Sequence, residues 1–98
     1  MDDFWFDGID EISIRRERDA ARQLRKISWW QAKLSLGQCY YCSCKKSPKE
    51  LTMDHITPLT RGGHSTKGNV VAACKECNTK KRSMLPLEWN EYMDSLEK

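Results

Sequence analysis

The hydrophobic and polar positions fall into five stretches. From about Ile9 to Leu36 there is no Pro and no internal Gly. Ala20, Leu24, Ile27, Trp30 and Leu34 recur there at steps of three and four, the period of an amphipathic helix. Gly37 supplies a stop, so one helix is expected over 9–36. Leu51-Thr-Met-Asp54-His55 reads as a strand and Val70-Val-Ala-Ala73 as a second. The connection 56–68 carries Pro58, Gly62, Gly63 and Gly68, which predicts an extended loop rather than a tight turn. Helix-forming residues return over 74–84. Pro86 then opens a last helix, over 86–97, with Trp89, Met93 and Leu96 as its apolar stripe. Two short strands among helices make the expected class α+β.

A chain of 98 residues makes one small domain, and at 39% hydrophobic residues its core alone is marginal. A staple is therefore expected. Five cysteines could provide it. Met1 to Asp7 is short and acidic, unlike a signal peptide, so a reducing, cytoplasmic location is expected and zinc is favoured over disulfides. No apolar run approaches the ~20 residues of a membrane helix. Cys39-x-x-Cys42 and Cys74-x-x-Cys77 have the spacing of two zinc knuckles. A redox pair is the competing reading of such a motif. Cys44 does not fit the spacing and reads as a free thiol. Residues 1–8 read as a mobile start, although Phe4, Trp5 and Phe6 are apolar enough to dock on the domain or on a second copy.

The net charge is only +3, but residues 12–82 hold 16 of the 17 basic side chains between acidic ends. A basic middle suits a polyanion. Arg15, Arg18, Arg22 and Arg25 lie off the apolar stripe of the first helix, where they either face water or grip a phosphate backbone. Arg61, Lys67, Lys81 and Arg82 are further candidate phosphate contacts, with solvated charge as the plainer alternative.

The candidate chemistry lies between the cysteine pairs. Hydrolysing a phosphodiester needs a base for water and a hard cation to screen charge. His55 offers the base, and Asp54 and Asn78 offer oxygen ligands. Asn78 directly follows Cys77 and falls in the first turn of a helix, where backbone N–H groups also favour phosphate. Asn69, next to Gly68, reads as a turn residue. His64 reads as an exposed loop residue rather than a second base.

Cys39-x-x-Cys42, Met53-Asp54-His55-Ile56-x-Pro58-Leu59, Arg61-Gly62-Gly63, Gly68-Asn69-Val70-Val71 and Cys74-x-x-Cys77-Asn78-x-Lys80-Lys81 together resemble the HNH endonuclease family over residues 39–82. The resemblance implies a zinc-stapled ββα-metal core over 37–84, with a long N-terminal and a short C-terminal helix attached. It implies His55 as general base, Asp54 and Asn78 as ligands of a catalytic divalent metal, and Asn69 as the residue that holds the loop and the His ring. It also implies structural zinc on Cys39, Cys42, Cys74 and Cys77. The last motif position is Asn78 rather than His, and an oxygen ligand there favours Mg²⁺ or Mn²⁺.

The expected function is thus metal-dependent hydrolysis of double-stranded DNA. Its rivals are a catalytically idle zinc-stapled module that binds DNA or protein, and an RNA-cleaving toxin. The size is similar to that of phage and prophage HNH nucleases, some of which assist genome packaging. That likeness suggests a bacterial or phage-infected host cell, and a homodimer or packaging assembly as partner.

Overall fold

A computed structural model describes residues 10–96. The expectations for residues 1–8 lie outside the described residues.

The N-terminal stretch forms two helices, α1 (Glu11–Leu24) and α2 (Ser28–Ser35), not the single helix expected over 9–36. Asp10 caps α1 by accepting from the Ser13 N–H at 2.7 Å. The chain leaves helical geometry at Ile27 (φ −92°, ψ 156°), and the Gln31 amide donates to the freed Arg25 carbonyl at 3.1 Å. A straight 28-residue helix would run about 42 Å along a five-residue strand of about 17 Å. The bend keeps both halves on the domain. Ala21 and Trp30 are buried, while Ile27 lies at the corner and is 38% exposed. The stripe read across 20–34 is therefore two short stripes. Gly37 ends this region at φ +64°, in the left-handed region where a side chain is disfavoured.

Strands β1 (Leu51–His55) and β2 (Val70–Cys74) pair antiparallel, from Leu51 opposite Cys74 to His55 opposite Val70. Side chains alternate between the faces of a strand, so Thr52 and Asp54 share one face and Leu51, Met53 and His55 the other. Helix α3 (Lys75–Lys81) starts directly after β2, with the Cys74 sulfur accepting the Cys77 N–H at 3.4 Å. It is shorter than the 74–84 expected, because Arg82 turns the chain away at φ +48°. Helix α4 spans Pro86–Leu96 and begins at Pro86 as expected. Trp89 is buried and Met93 packs on the core, but Leu96 is 57% exposed and lies off that stripe.

Trp30, Cys39, Leu51, Ala72, Ala73, Cys74, Cys77 and Trp89 form the core, flanked by Tyr41, Met53 and Met84 among others. The protein is a small α+β fold with a two-stranded sheet, a helix returning onto it and a cysteine cluster at one end. Among the described residues no helix is long and apolar enough to cross a membrane.

Candidate active site

Four sulfurs, from Cys39, Cys42, Cys74 and Cys77, lie within 4.8 Å of one another. Cys42 and Cys74 are 3.9 Å apart. Tetrahedral zinc with Zn–S bonds of about 2.3 Å needs sulfurs about 3.8 Å apart, so the donor set fits a closed structural site. The first pair sits in a knuckle closed by the Cys39 N–H on the Cys44 carbonyl at 3.0 Å. The second pair sits at the β2–α3 junction, so a metal here would join the knuckle to the sheet and α3. Burial pushes the Cys39 thiol up, but N–H groups of Cys42, Cys74 and Tyr41 outweigh it and hold it at about 7. At Cys77 burial is not offset, and with the Cys74 and Cys42 sulfurs it pushes the thiol well above the usual range. Cys44 is exposed and stands outside the cluster.

β1 ends at His55, where the sequence places the chemistry. The last two side chains go to different surroundings. Asp54 is 7% exposed. It accepts from the Tyr41 hydroxyl at 2.5 Å and is ion-paired with the Lys81 ammonium at 3.3 Å, both through Oδ2. Burial and the neighbouring Asp54 carboxylate together push the Tyr41 phenol far above its usual range.

Lys81 is fully buried, donates to the His55 carbonyl at 3.0 Å and lies over the Tyr41 ring. It is an internal strut, and the expectation that it touches DNA is corrected. The spacing that suggested a shared basic face with Arg82 places Lys81 on the inward side of α3. Asn78, one turn earlier on α3, donates from Nδ2 to Thr52 Oγ1 at 2.9 Å. Thr52 and Asp54 share a face, so Asn78 and Asp54 lie on one side of the sheet. Asp54 Oδ1 and Asn78 Oδ1 are the hard oxygens left over by these bonds, and both are donors that suit Mg²⁺ or Mn²⁺.

His55 points to the other side. Its Nε2 is 2.9 Å from Ser65 Oγ. Ser65 Oγ lies 2.5 Å from the Glu17 main-chain carbonyl, which can only accept. The single hydroxyl proton is therefore committed to Glu17, and Nε2 must donate to Ser65. The ring is the Nε2–H tautomer, with its lone pair on Nδ1. Desolvation holds the imidazole below its ordinary pKa of 6.5; Asp54 and Glu17 oppose this, and Arg25 and Lys81 reinforce it.

Asn69 closes the loop. Its Oδ1 accepts from the Thr57 N–H at 2.9 Å, and its Nδ2 donates to the Thr57 and His64 carbonyls at 3.0 and 2.8 Å. It holds the loop as expected, but the bond to the His ring comes from Ser65. Gly63 lets this loop fold back: a Cβ there would stand 1.8 Å from the Thr57 carbonyl oxygen. His64 is exposed, as expected, and meets Glu17 Oε2 at 3.0 Å.

Neither Ser65 nor Glu17 stood out in the sequence. They lie 48 positions apart, and neither belongs to a spaced motif.

The remaining basic candidates differ in availability. Arg15 and Arg18 are exposed on α1, and Arg22 is exposed and paired with Asp19 at 2.7 Å. Arg25 donates to Met53 Sδ at 3.6 Å. Arg61 is held by the Ser83 carbonyl and Glu88. Lys67 lies over the Trp29 ring, and Arg82 is exposed.

No curated protein matches the chain. The family model described as HNH endonuclease matches residues 39–91, more than half of the sequence. The matched stretch spans both cysteine pairs, the β1 Asp–His pair, Asn69 and Asn78. The chain belongs to the HNH endonuclease family.

Proposed function

We propose that the protein is a metal-dependent endonuclease that hydrolyses phosphodiester bonds of double-stranded DNA, with His55 as the general base and zinc on the four cysteines. The observation that carries this reading is the His55 ring at the end of β1, fixed through Nε2 with its lone pair on Nδ1. A ring fixed in that tautomer takes a proton without reorganising.

Nδ1 accepts the proton of a water molecule as its oxygen bonds to phosphorus. The P–O3′ bond breaks and its electron pair goes to the 3′ oxygen. The products carry a 5′-phosphate and, after protonation, a 3′-hydroxyl. Asp54 and Asn78 are the residues that would hold Mg²⁺ or Mn²⁺, which when bound would supply charge screening at the phosphate and at the leaving oxygen. Because β1 ends at His55, the scissile phosphate would lie across that end of the strand, between the two faces. Asn69 acts by keeping the 57–64 loop closed beside the base. Lys81 and Tyr41 act by fixing the Asp54 carboxylate. The exposed arginines of α1 supply sequence-independent attraction to the duplex.

The test incubates the zinc-loaded protein with supercoiled plasmid in Mg²⁺, Mn²⁺ or EDTA, beside His55→Ala and an RNA substrate. Cleavage is expected only with the added cation. His55→Ala should keep DNA binding and lose turnover by about 10²–10⁴-fold. Wild-type rates from His55→Ala, or equal cutting in EDTA, would overturn the assignment in favour of a binding module. Cleavage of RNA alone would overturn the DNA substrate.

A further inference from the structure

We propose that Glu17, on the helix that precedes the family-matched segment, is a positioning residue for His55 and acts through Ser65. The inference rests on His55 being the base.

Glu17 holds two successive loop residues at three points. Its Oε1 accepts the Ser65 N–H at 2.7 Å and its Oε2 meets His64 Nδ1 at 3.0 Å. Its main-chain carbonyl takes the Ser65 hydroxyl proton at 2.5 Å. Ser65 is itself buried, at 8% exposure. A serine hydroxyl can normally rotate to donate or accept. Gripped from both its N–H and its Oγ, this one is left only a lone pair to offer His55, 2.9 Å away. The hydrogen bond at one ring nitrogen decides which nitrogen carries the proton. Release of Glu17 would free Ser65 to donate to Nε2, moving the ring proton to Nδ1 and blocking the atom that must take a proton from water. Helix α1 thereby completes the site from outside the ββα unit: its carboxylate docks the loop, and its backbone sets the polarity of the Ser65–His55 bond.

The experiment reads the His55 tautomer directly, from ring ¹⁵N shifts of the full-length zinc-loaded protein at pH 8. Wild type is expected as Nε2–H. Glu17→Ala keeps the residue-17 carbonyl but loses the carboxylate that docks Ser65 against it, and Ser65→Ala removes the acceptor at Nε2. Both are expected to replace the single Nε2–H form by a mixture that includes Nδ1–H, and to lower kcat on plasmid by about ten- to a hundredfold, the scale for losing partners that orient a ligating imidazole. KM and zinc content should not change. Ser65→Thr, which keeps a hydroxyl, should restore the Nε2–H form and most of the turnover. Ser65→Ala leaves the Glu17 carboxylate on the Ser65-position N–H, so it reports on the tautomer even if Glu17→Ala undocks α1. Wild type in the Nδ1–H form, or an unchanged tautomer in both alanine variants, overturns the proposal. A His55→Ala protein that still cleaves would remove the base assignment while leaving the tautomer result standing, so the two failures are distinguishable.

Discussion

Lys81→Met removes a charge from the interior while keeping most of the side-chain volume. Lys81 has no exposed surface, donates to the His55 carbonyl at 3.0 Å, and faces the Asp54 carboxylate at 3.3 Å. Asp54, 7% exposed, would keep only the Tyr41 hydroxyl. Breaking one side of a buried pair costs about 3–5 kcal/mol, because the remaining charge stays desolvated. The orphaned His55 carbonyl lies within that range rather than adding to it, since the single ammonium serves both acceptors. Total stability for domains is about 5–15 kcal/mol, so the loss is a large share. At roughly 6 °C per kcal/mol for a chain of this size, Tm should fall by about 20–30 °C. Thermal unfolding in zinc-saturated buffer measures it. Asp54→Leu combined with Lys81→Met should recover most of the loss, because an apolar pair leaves no buried charge. The salt dependence of DNA binding should not move for Lys81→Met at temperatures where it is folded. A Tm within about 3 °C of wild type, together with a smaller salt slope, would place Lys81 on the DNA surface and refute the strut.

Cys74→Ser should unfold the domain, since structural zinc contributes on the order of 10 kcal/mol in small domains, while the exposed Cys44→Ser should be tolerated; metal analysis finding no zinc in folded wild type sinks this. Changing Arg15, Arg18 and Arg22 together to Gln should flatten the salt slope of duplex binding by up to about 0.9 per lost phosphate contact; an unchanged slope makes α1 scaffold alone. The Ser65 N–H on Glu17 holds that carboxyl below its usual 4.5, with His64 adding to the effect. Because the folded pKa is the depressed one, this tether is complete above about pH 4.5 and is lost as pH falls through the folded value. Exchange protection of the Ser65 amide should follow that course, and equal protection at pH 3 and pH 6 would remove the tether.

The elements that could be read in advance are those whose signal is local. β1 runs Leu51–His55 as expected, because its β-forming residues end at a Pro-bearing loop, and Pro86 starts α4 as expected. The Cys-x-x-Cys spacings likewise foretold the cluster, since both halves of each knuckle lie within four residues. What escaped prediction depends on distant partners. The corner at Ile27 follows from the shortness of a sheet formed 24 residues later. Lys81 looks like any surface lysine until Asp54 and Tyr41 close around its ammonium. The hydroxyl that holds His55 comes from a loop residue whose own proton goes to α1, 48 positions away, and no spacing within either segment encodes that.

Two side-chain pairs between α3 and β1, the Asn78–Thr52 hydrogen bond and the Lys81–Asp54 ion pair, also make pairing errors costly. A two-stranded sheet this short has little of its own to prevent its strands from sliding by one residue. Such a slide turns every side chain to the opposite face. Asn78 and Lys81 would then confront Met53 and either Leu51 or His55, and the lysine ammonium would be sealed against an apolar side chain or an imidazole. The carboxylate would at the same time face the other layer, without its phenol. Thr52 and Asp54 thus act as keyed teeth that α3 engages in one alignment only. That alignment brings His55 to the last position of the strand, where the loop can take hold of its ring.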